Sequence, residues 1–230
     1  MNNWLNPDNK FFSFMGKAFD TVVINVFWLI LCIPIITIVP ATTAMYYTIV
    51  KVVRRERSYA IKEFFRSFKR NFKQGALYSI FLVFAVFVMY IDFRYSLLLI
   101  EQGETSGNTF FGVFLVIAFL LSAVFTFLCP VLSRFEMKWG GILKTAFFMA
   151  TRHILTTLVL LVLMVAVLLG CYIILPGMFF LPAIGTLLAS FLIERVFKKY
   201  MPAKTERTEE EGHIADAEER EDAKDEWYLE

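Results

Sequence analysis

Residues 154–193 read ILTTLVLLVLMVAVLLGCYIILPGMFFLPAIGTLLASFLI and contain no charged residue. As one helix this stretch would be about 60 Å long, twice the roughly 30 Å hydrocarbon core of a bilayer. It must therefore fold back on itself, and the pair Pro176-Gly177 is typical of a turn. The stretch predicts two membrane spans, at 154–175 and 178–193.

Three more apolar runs are long enough to cross a bilayer, and they lie at 21–39, 75–98 and 110–132. Pro34 interrupts the first run, and Pro40 is expected to end or kink it, so that a second helical piece continues to the interface. The predicted fold class is all-α: a polytopic transmembrane helical bundle of about five spans, with amphipathic helices at the interface.

The composition supports a membrane domain over residues 1–203. Of the 230 residues, 58% are hydrophobic, which is more apolar surface than a soluble domain of this length can bury. Cys32, Cys129 and Cys171 all lie in apolar runs. An odd number of such thiols indicates apolar filler and not a disulfide framework or a metal site. No cofactor is expected.

The tail at 204–230 is rich in acidic residues and poor in apolar ones before Trp227. A segment of this composition cannot bury enough surface to offset its ordering entropy, and it is predicted to be a disordered cytoplasmic tail. A role in docking a partner through 227–229 stays open.

The basic residues predict the orientation of the chain. They cluster at 51–73 and 133–153, whereas 101–109 contains none. Cytoplasmic loops carry the excess of lysine and arginine, so the first two stretches are predicted to be cytoplasmic and the third external. In a bacterial cell membrane this places the N-terminus outside and the C-terminus inside. Because the basic residues flank bilayer-length runs, a nucleic-acid partner is not expected.

Residues 59–74 predict a cytoplasmic amphipathic helix with two stripes. The apolar stripe includes Phe64, Phe65, Phe68 and Phe72, and the basic residues beside it are Lys62, Arg66, Lys69, Arg70 and Lys73. Such a helix is expected to lie in the membrane plane, with its phenylalanines among acyl chains and its cations at anionic lipid headgroups. Docking of a cytoplasmic partner is the alternative.

A weak echo of this helix occurs further along the chain. Lys62, Phe65 and Arg70-Asn71 align at one constant offset with Lys144, Phe147 and Arg152-His153. Both stretches follow one span and enter the next. The match covers few positions, so duplication and chance both stay open.

The sequence offers little that could carry catalysis. The chain has only two histidines, His153 and His213, which are far apart, and it contains neither a phosphate-binding glycine loop nor a nucleophile motif. Asp92 and Arg94 lie near the outer end of their span, and the deeper positions carry no ionisable group. A non-enzymatic protein is predicted, because ion-coupled transport and intramembrane catalysis both require such groups. A small facilitator or channel for a neutral solute is the alternative.

The run CIPIITIVPATTAMYYTIVKVVRRE at 32–56, followed by FFRSFKRNFKQG, resembles the YesL-like family of bacterial integral membrane proteins. The shared domain of that family has no assigned function. The matching positions in the first run are Pro34, Thr37, Pro40, Ala41, Thr42, Tyr46 and Tyr47. Residues 128–153 add Arg134, Phe135, Glu136, Arg152 and His153. Val39 stands where family members often have glycine.

The resemblance implies a plasma-membrane protein of Gram-positive-type bacteria. Genes of such proteins often lie beside those of carbohydrate-uptake ABC transporters. This neighbourhood implies an accessory or regulatory role beside the permease or ATPase subunits of a sugar importer.

Overall fold

The structure, a computed structural model, describes residues 10–54 and 59–200, and the predicted acidic tail lies outside these ranges. The α-helices of the described residues are α1 Lys10–Cys32, α2 Ile38–Thr48, α3 Ala60–Glu101, α4 Thr105–Arg134, α5 Trp139–Arg152, α6 Ile154–Ile173 and α7 Leu181–Phe197. These ranges contain no strand, and the all-α fold class is confirmed.

Within residues 10–54 and 59–200, five segments are long and apolar enough to cross a membrane: Met15–Cys32, Ile35–Arg54, Ala60–Glu101, Thr105–Arg134 and Ile154–Ile173. Their number agrees with the prediction, but their membership differs. The segment Ile35–Arg54 combines the end of the predicted first span with residues 41–53, which were expected to run out to the interface. Helix α7, which contains most of the predicted last span, has 17 residues and is not among the five.

The chain divides into two compact units, Met1–Ile193 and Glu194–Glu230. In the second unit the structure describes residues 194–200, where the amide of Lys198 donates to the carbonyl of Glu194 at 3.0 Å. The features below all belong to the first unit.

The first apolar run breaks at Pro34, as predicted. A short 3-10 turn, Ile35–Thr37, follows, and the Thr37 hydroxyl donates to the carbonyls of Leu31 and Pro34. The prediction for Pro40 was wrong, because Pro40 lies in the first turn of α2 and does not end the helix. An amide in the first turn has no intrahelical acceptor, so proline costs nothing there.

The core of the first unit forms around α2 and the π-helical segment Ile49–Arg54 that continues it. Most residues of α2 are buried, and α2 packs against α1, α3 and α4. The indole of Trp28 on α1 donates to the Thr42 hydroxyl at 3.1 Å. One hydrophobic cluster includes Ile24, Met45, Ile49 and Phe64.

The longest helix, α3, has 42 residues and is therefore about 63 Å long. The predicted amphipathic helix at 59–74 and the predicted span at 75–98 are thus one continuous helix. Gly75 permits this continuity beside α2, because a Cβ atom there would lie 2.9 Å from Cβ and Cδ of Pro40. The first half of α3 packs on α2 and does not form a separate helix.

The remaining helices follow short connections. Gly103, with a φ of 76°, turns the chain between α3 and α4, so the connection is shorter than the predicted loop at 101–109. Helix α4 continues through Pro130 to Arg134, beyond the predicted end at 132. The expected fold-back at Pro176-Gly177 lies in the 3-10 turn Leu175–Phe179, where the Gly177 amide donates to the carbonyl of Ile174 at 2.7 Å.

Candidate interaction face and its polar layer

The first half of α3 presents a row of exposed cations. Lys62, Arg66, Lys69 and Lys73 are all exposed, and their spacing of 4, 3 and 4 residues places them on one side of the helix. We call these four residues the basic face. The opposite side of the same turns is buried and includes Ala60, Phe64, Ser67 and Asn71. The basic face therefore points away from the helices that pack on α3.

A layer of polar side chains joins α2, the π-helical segment, α3 and α4. Nζ of Lys51 lies 3.1 Å from Oε2 of Glu63 and donates to the Tyr47 hydroxyl at 3.3 Å. The Arg70 guanidinium lies 5.7 Å from the centroid of the Tyr47 ring and donates to the carbonyl of Ser133 at 3.3 Å. We call Tyr47, Lys51, Glu63 and Arg70 the polar layer.

The ion pair in the polar layer is shielded from solvent, since the side chains of Lys51 and Glu63 are 20% and 4% exposed. Ionised groups in such a site depend on each other, because removal of one partner leaves a buried charge uncompensated. This pair was not predicted from the sequence. The available signal was Glu63 itself, one of two carboxylates among the many cations at 51–73.

The predicted interface residues separate into two groups in the structure. Four of the five cations form the basic face, while Arg70 is tied to Ser133 on α4. The aromatic stripe also divides: Phe64 is fully buried in the core, and Phe65 meets Phe27 of α1 edge-on at 5.2 Å. Phe68 is partly buried, and Phe72 is exposed. The stripe is thus partly a packing surface between helices.

Most positions shared with the resembling family lie at breaks and ends of helices. Pro34 and Thr37 form the break after α1. Three positions, Pro40, Ala41 and Tyr46, are buried in α2. The hydroxyl of Thr42 accepts from the indole of Trp28, and Tyr47 belongs to the polar layer. Arg134 ends α4, Phe135 and Glu136 follow it, and Arg152 and His153 lie where α5 meets α6. The guanidinium of Arg152 lies 5.7 Å from the centroid of the Phe148 ring.

Ligand sets for a metal ion are absent from the described ranges. In residues 10–54 and 59–200 there is no group of three or more histidine, cysteine, aspartate or glutamate residues that could hold a metal. Cys32, Cys129 and Cys171 are all free thiols. The polar groups that the structure brings together suit helix packing and contact with anionic surfaces.

A groove lies between α3, α4, α5 and α6. It has a volume of about 300 Å³. Its lining includes Phe81 and Met89 of α3, Ala118 of α4 and Met164 of α6. Tyr78 and Ser122 are the only polar side chains in that lining, and the Tyr78 hydroxyl donates to the carbonyl of Trp139.

Comparison with known proteins links this arrangement to a group without assigned activity. The family described as "Protein of unknown function, DUF624" matches residues 21–93. The "Uncharacterized protein YesL" of Bacillus subtilis (strain 168) is 27% identical over 182 residues, covering 77% of this chain and 83% of that protein. No solved structure matches. The matched residues 21–93 contain α2, the basic face and the polar layer.

Proposed function

We propose that the chain, which is similar to the YesL-like family and has helices long and apolar enough to cross a membrane, is a non-enzymatic accessory or regulatory component of a carbohydrate ABC-type importer. In this proposal the basic face is the surface that docks the importer. The support for a sugar importer is the gene neighbourhood implied by the family resemblance. The support for docking is structural and is given next.

The single observation that carries the docking role is the rigid attachment of the basic face to the bundle. A helix of about 63 Å is twice as long as the hydrocarbon core, so about half of α3 extends beyond it. The extending half contains the basic face, and its other side is packed on α2 and the π-helical segment. Such a preorganised row of cations suits an acidic surface on a partner, because little ordering entropy is lost on binding.

The proposal includes an orientation, with the basic face in the cytoplasm and the N-terminus outside. The excess of basic residues at 51–73 supports it. The cysteine of Lys69→Cys is expected to react with a membrane-impermeant maleimide only after the membrane is opened. The cysteine of Thr105→Cys is expected to react in intact cells. The chain with only its native cysteines provides the background. The reverse pattern would place the basic face outside and exclude a cytoplasmic docking role.

The structure gives less support to a facilitator for a neutral solute such as a sugar. Sugar hydroxyls require hydrogen-bonding partners along their path. The groove between α3, α4, α5 and α6 has only two polar side chains in its lining, Tyr78 and Ser122. The Tyr78 hydroxyl already donates to the carbonyl of Trp139. Uptake of a labelled sugar by proteoliposomes that contain only this protein would favour the facilitator.

The docking role is tested by charge reversal with a matched control. The variant Lys62→Glu/Lys69→Glu reverses two charges of the basic face, and Lys138→Glu/Lys144→Glu makes the same change on and beside α5. We expect the wild type and the control to co-purify with the permease and ATPase subunits of a sugar importer from native membranes. Recovery of the importer subunits with the basic-face variant is expected to fall about tenfold, because the charge complementarity of the interface is lost.

Two results would contradict the proposal. One is equal recovery of importer subunits by both double variants, which would exclude the basic face as the docking surface. The other is the absence of these subunits from the wild-type preparation, combined with unchanged sugar uptake after deletion of the gene. The second result would remove the importer as partner.

A further inference from the structure

We propose that the groove between α3, α4, α5 and α6 binds one acyl chain of an anionic phospholipid, with the lipid headgroup at the connection between α4 and α5. This inference is independent of the proposed importer partner. It concerns a binding site inside the helical bundle and a ligand supplied by the membrane itself.

The lining of the groove suits a hydrocarbon chain. Of the side chains that line it, Tyr78 and Ser122 alone are polar, and the Tyr78 hydroxyl already donates to a backbone carbonyl. A polar solute that enters would lose its hydrogen bonds to water and gain few in return. A hydrocarbon chain has no such cost, and it fills space that would otherwise lack packing partners.

The groove is also accessible from the bilayer. Phe81 and Val86 line it and are 54% and 59% exposed, so its rim lies on the outer surface of α3. Both α3 and α4 contain segments long and apolar enough to cross a membrane. An acyl chain can therefore enter sideways from the surrounding lipid, without passing through water.

One end of the groove has the residues expected at a headgroup. Tyr78 of α3 and Leu143 of α5 belong to the lining at this end, and Tyr78 is hydrogen-bonded to Trp139. Trp139 is exposed, as are Lys138 immediately before it and Lys144 immediately after Leu143. Tyrosine and tryptophan are typical of the headgroup level, and lysine there attracts anionic lipid.

Charge at this end favours an anionic headgroup over a zwitterionic one. Residues 134–144 contain the cations Arg134, Lys138 and Lys144 against the single carboxylate of Glu136. The basic face is not part of this site. On a helical wheel its residues lie opposite Tyr78, Leu82 and Ala85, three of the six α3 residues that line the groove, and none of its residues belongs to the lining. The two surfaces can therefore be changed separately.

The test uses photoreactive phosphatidylglycerol with a diazirine in the middle of one acyl chain. The full-length protein is reconstituted in phosphatidylcholine vesicles that contain this probe, irradiated, digested and analysed by mass spectrometry. We expect adducts concentrated on the groove-lining residues of α3 and α4, and their suppression by excess unlabelled phosphatidylglycerol. Adducts spread evenly over the lipid-exposed surface, without suppression, would overturn the proposal.

Two matched substitutions on α4 distinguish the groove from the general lipid surface. Ala118→Phe fills the groove, whereas Val116→Phe enlarges an exposed residue of the same helix outside the lining. Labelling of the groove is expected to fall about tenfold with the first and to stay unchanged with the second, because only the first occupies the space of the chain. If Ala118→Phe does not fold, Ala85→Met fills the same groove from α3. Unchanged labelling in a folded groove-filling variant would overturn the proposal.

The headgroup part has its own measurement. In Lys138→Gln/Lys144→Gln the preference for the phosphatidylglycerol probe over the corresponding phosphatidylcholine probe is expected to fall about tenfold, because each lysine contributes to attraction of the anionic lipid. Lys62→Gln/Lys69→Gln is the matched control and should retain the preference. An equal preference in both double variants would remove the anionic headgroup from this site.

Discussion

Two stretches of the chain have similar sequences at the entry to a long apolar helix, and their backbones differ. At 60–79 the basic stretch and the following apolar run form one helix, α3. The corresponding stretch at 142–161 is divided between α5, which ends at Arg152, and α6, which begins at Ile154. Arg152-His153, where the second stretch breaks, aligns with Arg70-Asn71 in the middle of the first.

The first stretch stays one continuous helix because α2 and the π-helical segment pack along it. The backbone amide of Val39 on α2 donates to the Ser79 hydroxyl of α3 at 3.1 Å. Further down, Lys51 of the π-helical segment pairs with Glu63. These contacts lie 16 residues apart on α3, about 24 Å along its axis. They hold the first half of α3, on both sides of Gly75, against α2 and the π-helical segment that continues it.

The second stretch contains groups that stabilise a break. His153 has φ of −111° and ψ of 50°, outside the helical region. The hydroxyl of Thr157, in the first turn of α6, donates to the carbonyl of Ala150 at 2.8 Å and to that of His153 at 3.0 Å. The few positions that the two stretches share therefore do not determine whether the helix continues; the packing partners and the local hydrogen bonds differ between them. Duplication and chance both stay open as the origin of the shared positions.

The largest expected effect comes from the ion pair of the first stretch. Glu63→Ala leaves the Lys51 ammonium in a shielded site without its counter-charge, which we expect to lower the free energy of unfolding by about 3 kcal/mol. Glu101→Ala, at the exposed end of the same helix, is the control and should be close to neutral. Reversible unfolding in mixed detergent micelles measures both.

A double variant shows whether the loss of stability comes from the uncompensated charge or from the loss of the two side chains. Lys51→Met/Glu63→Met removes both charges and should recover most of the loss, because no uncompensated charge remains. If Glu63→Ala costs no more than Glu101→Ala, the pair does not hold α3 against the π-helical segment.

A smaller effect is expected at the glycines of the two stretches. In Gly75→Ala the new Cβ would lie 2.9 Å from Cβ and Cδ of Pro40, so α2 must move away from α3, at a cost of about 2 kcal/mol. In Gly140→Ala nothing lies within 4 Å, and the higher helix propensity of alanine should stabilise α5 slightly. Thermal unfolding of both variants tests the contrast. Equal shifts of the two midpoints would show that α2 can yield at Pro40 without loss.

The broad architecture was predictable because membrane spans follow from length and apolarity. The fold-back at Pro176-Gly177 and the break at Pro34 both lie where the sequence predicts them. The continuity of α3 was not predictable. An amphipathic pattern is the same for a helix that lies on a membrane and for one that packs on another helix. The partner that packs on the first half of α3 is α2. Its sequence is apolar like that of a membrane span, so it does not identify α2 as the packing partner.

In the candidate site, the features that depend on local spacing were predictable from the sequence, and those that depend on long-range contacts were not. The basic face follows from local spacing, and all four of its residues are exposed. The positions of Arg70 and Phe64 depend on residues distant in sequence, since Arg70 bonds to Ser133 and Phe64 packs against Phe27. Such long-range contacts leave no periodic signal within the helix itself. The sequence therefore did not predict the burial of Phe64 in the core or the bond between Arg70 and Ser133.

The smallest expected effect concerns the break in the second stretch. Thr157→Val keeps the side-chain volume but removes the hydroxyl that bridges α5 and α6, and a buried hydrogen bond of this kind contributes about 1 kcal/mol. Thr151→Val is the control, because the exposed hydroxyl of Thr151 bonds only to carbonyls of its own helix. Amide hydrogen exchange over 150–157 should increase in the first variant and not in the second. Unchanged exchange in Thr157→Val would mean that the conformation at His153 forms the break without the threonine.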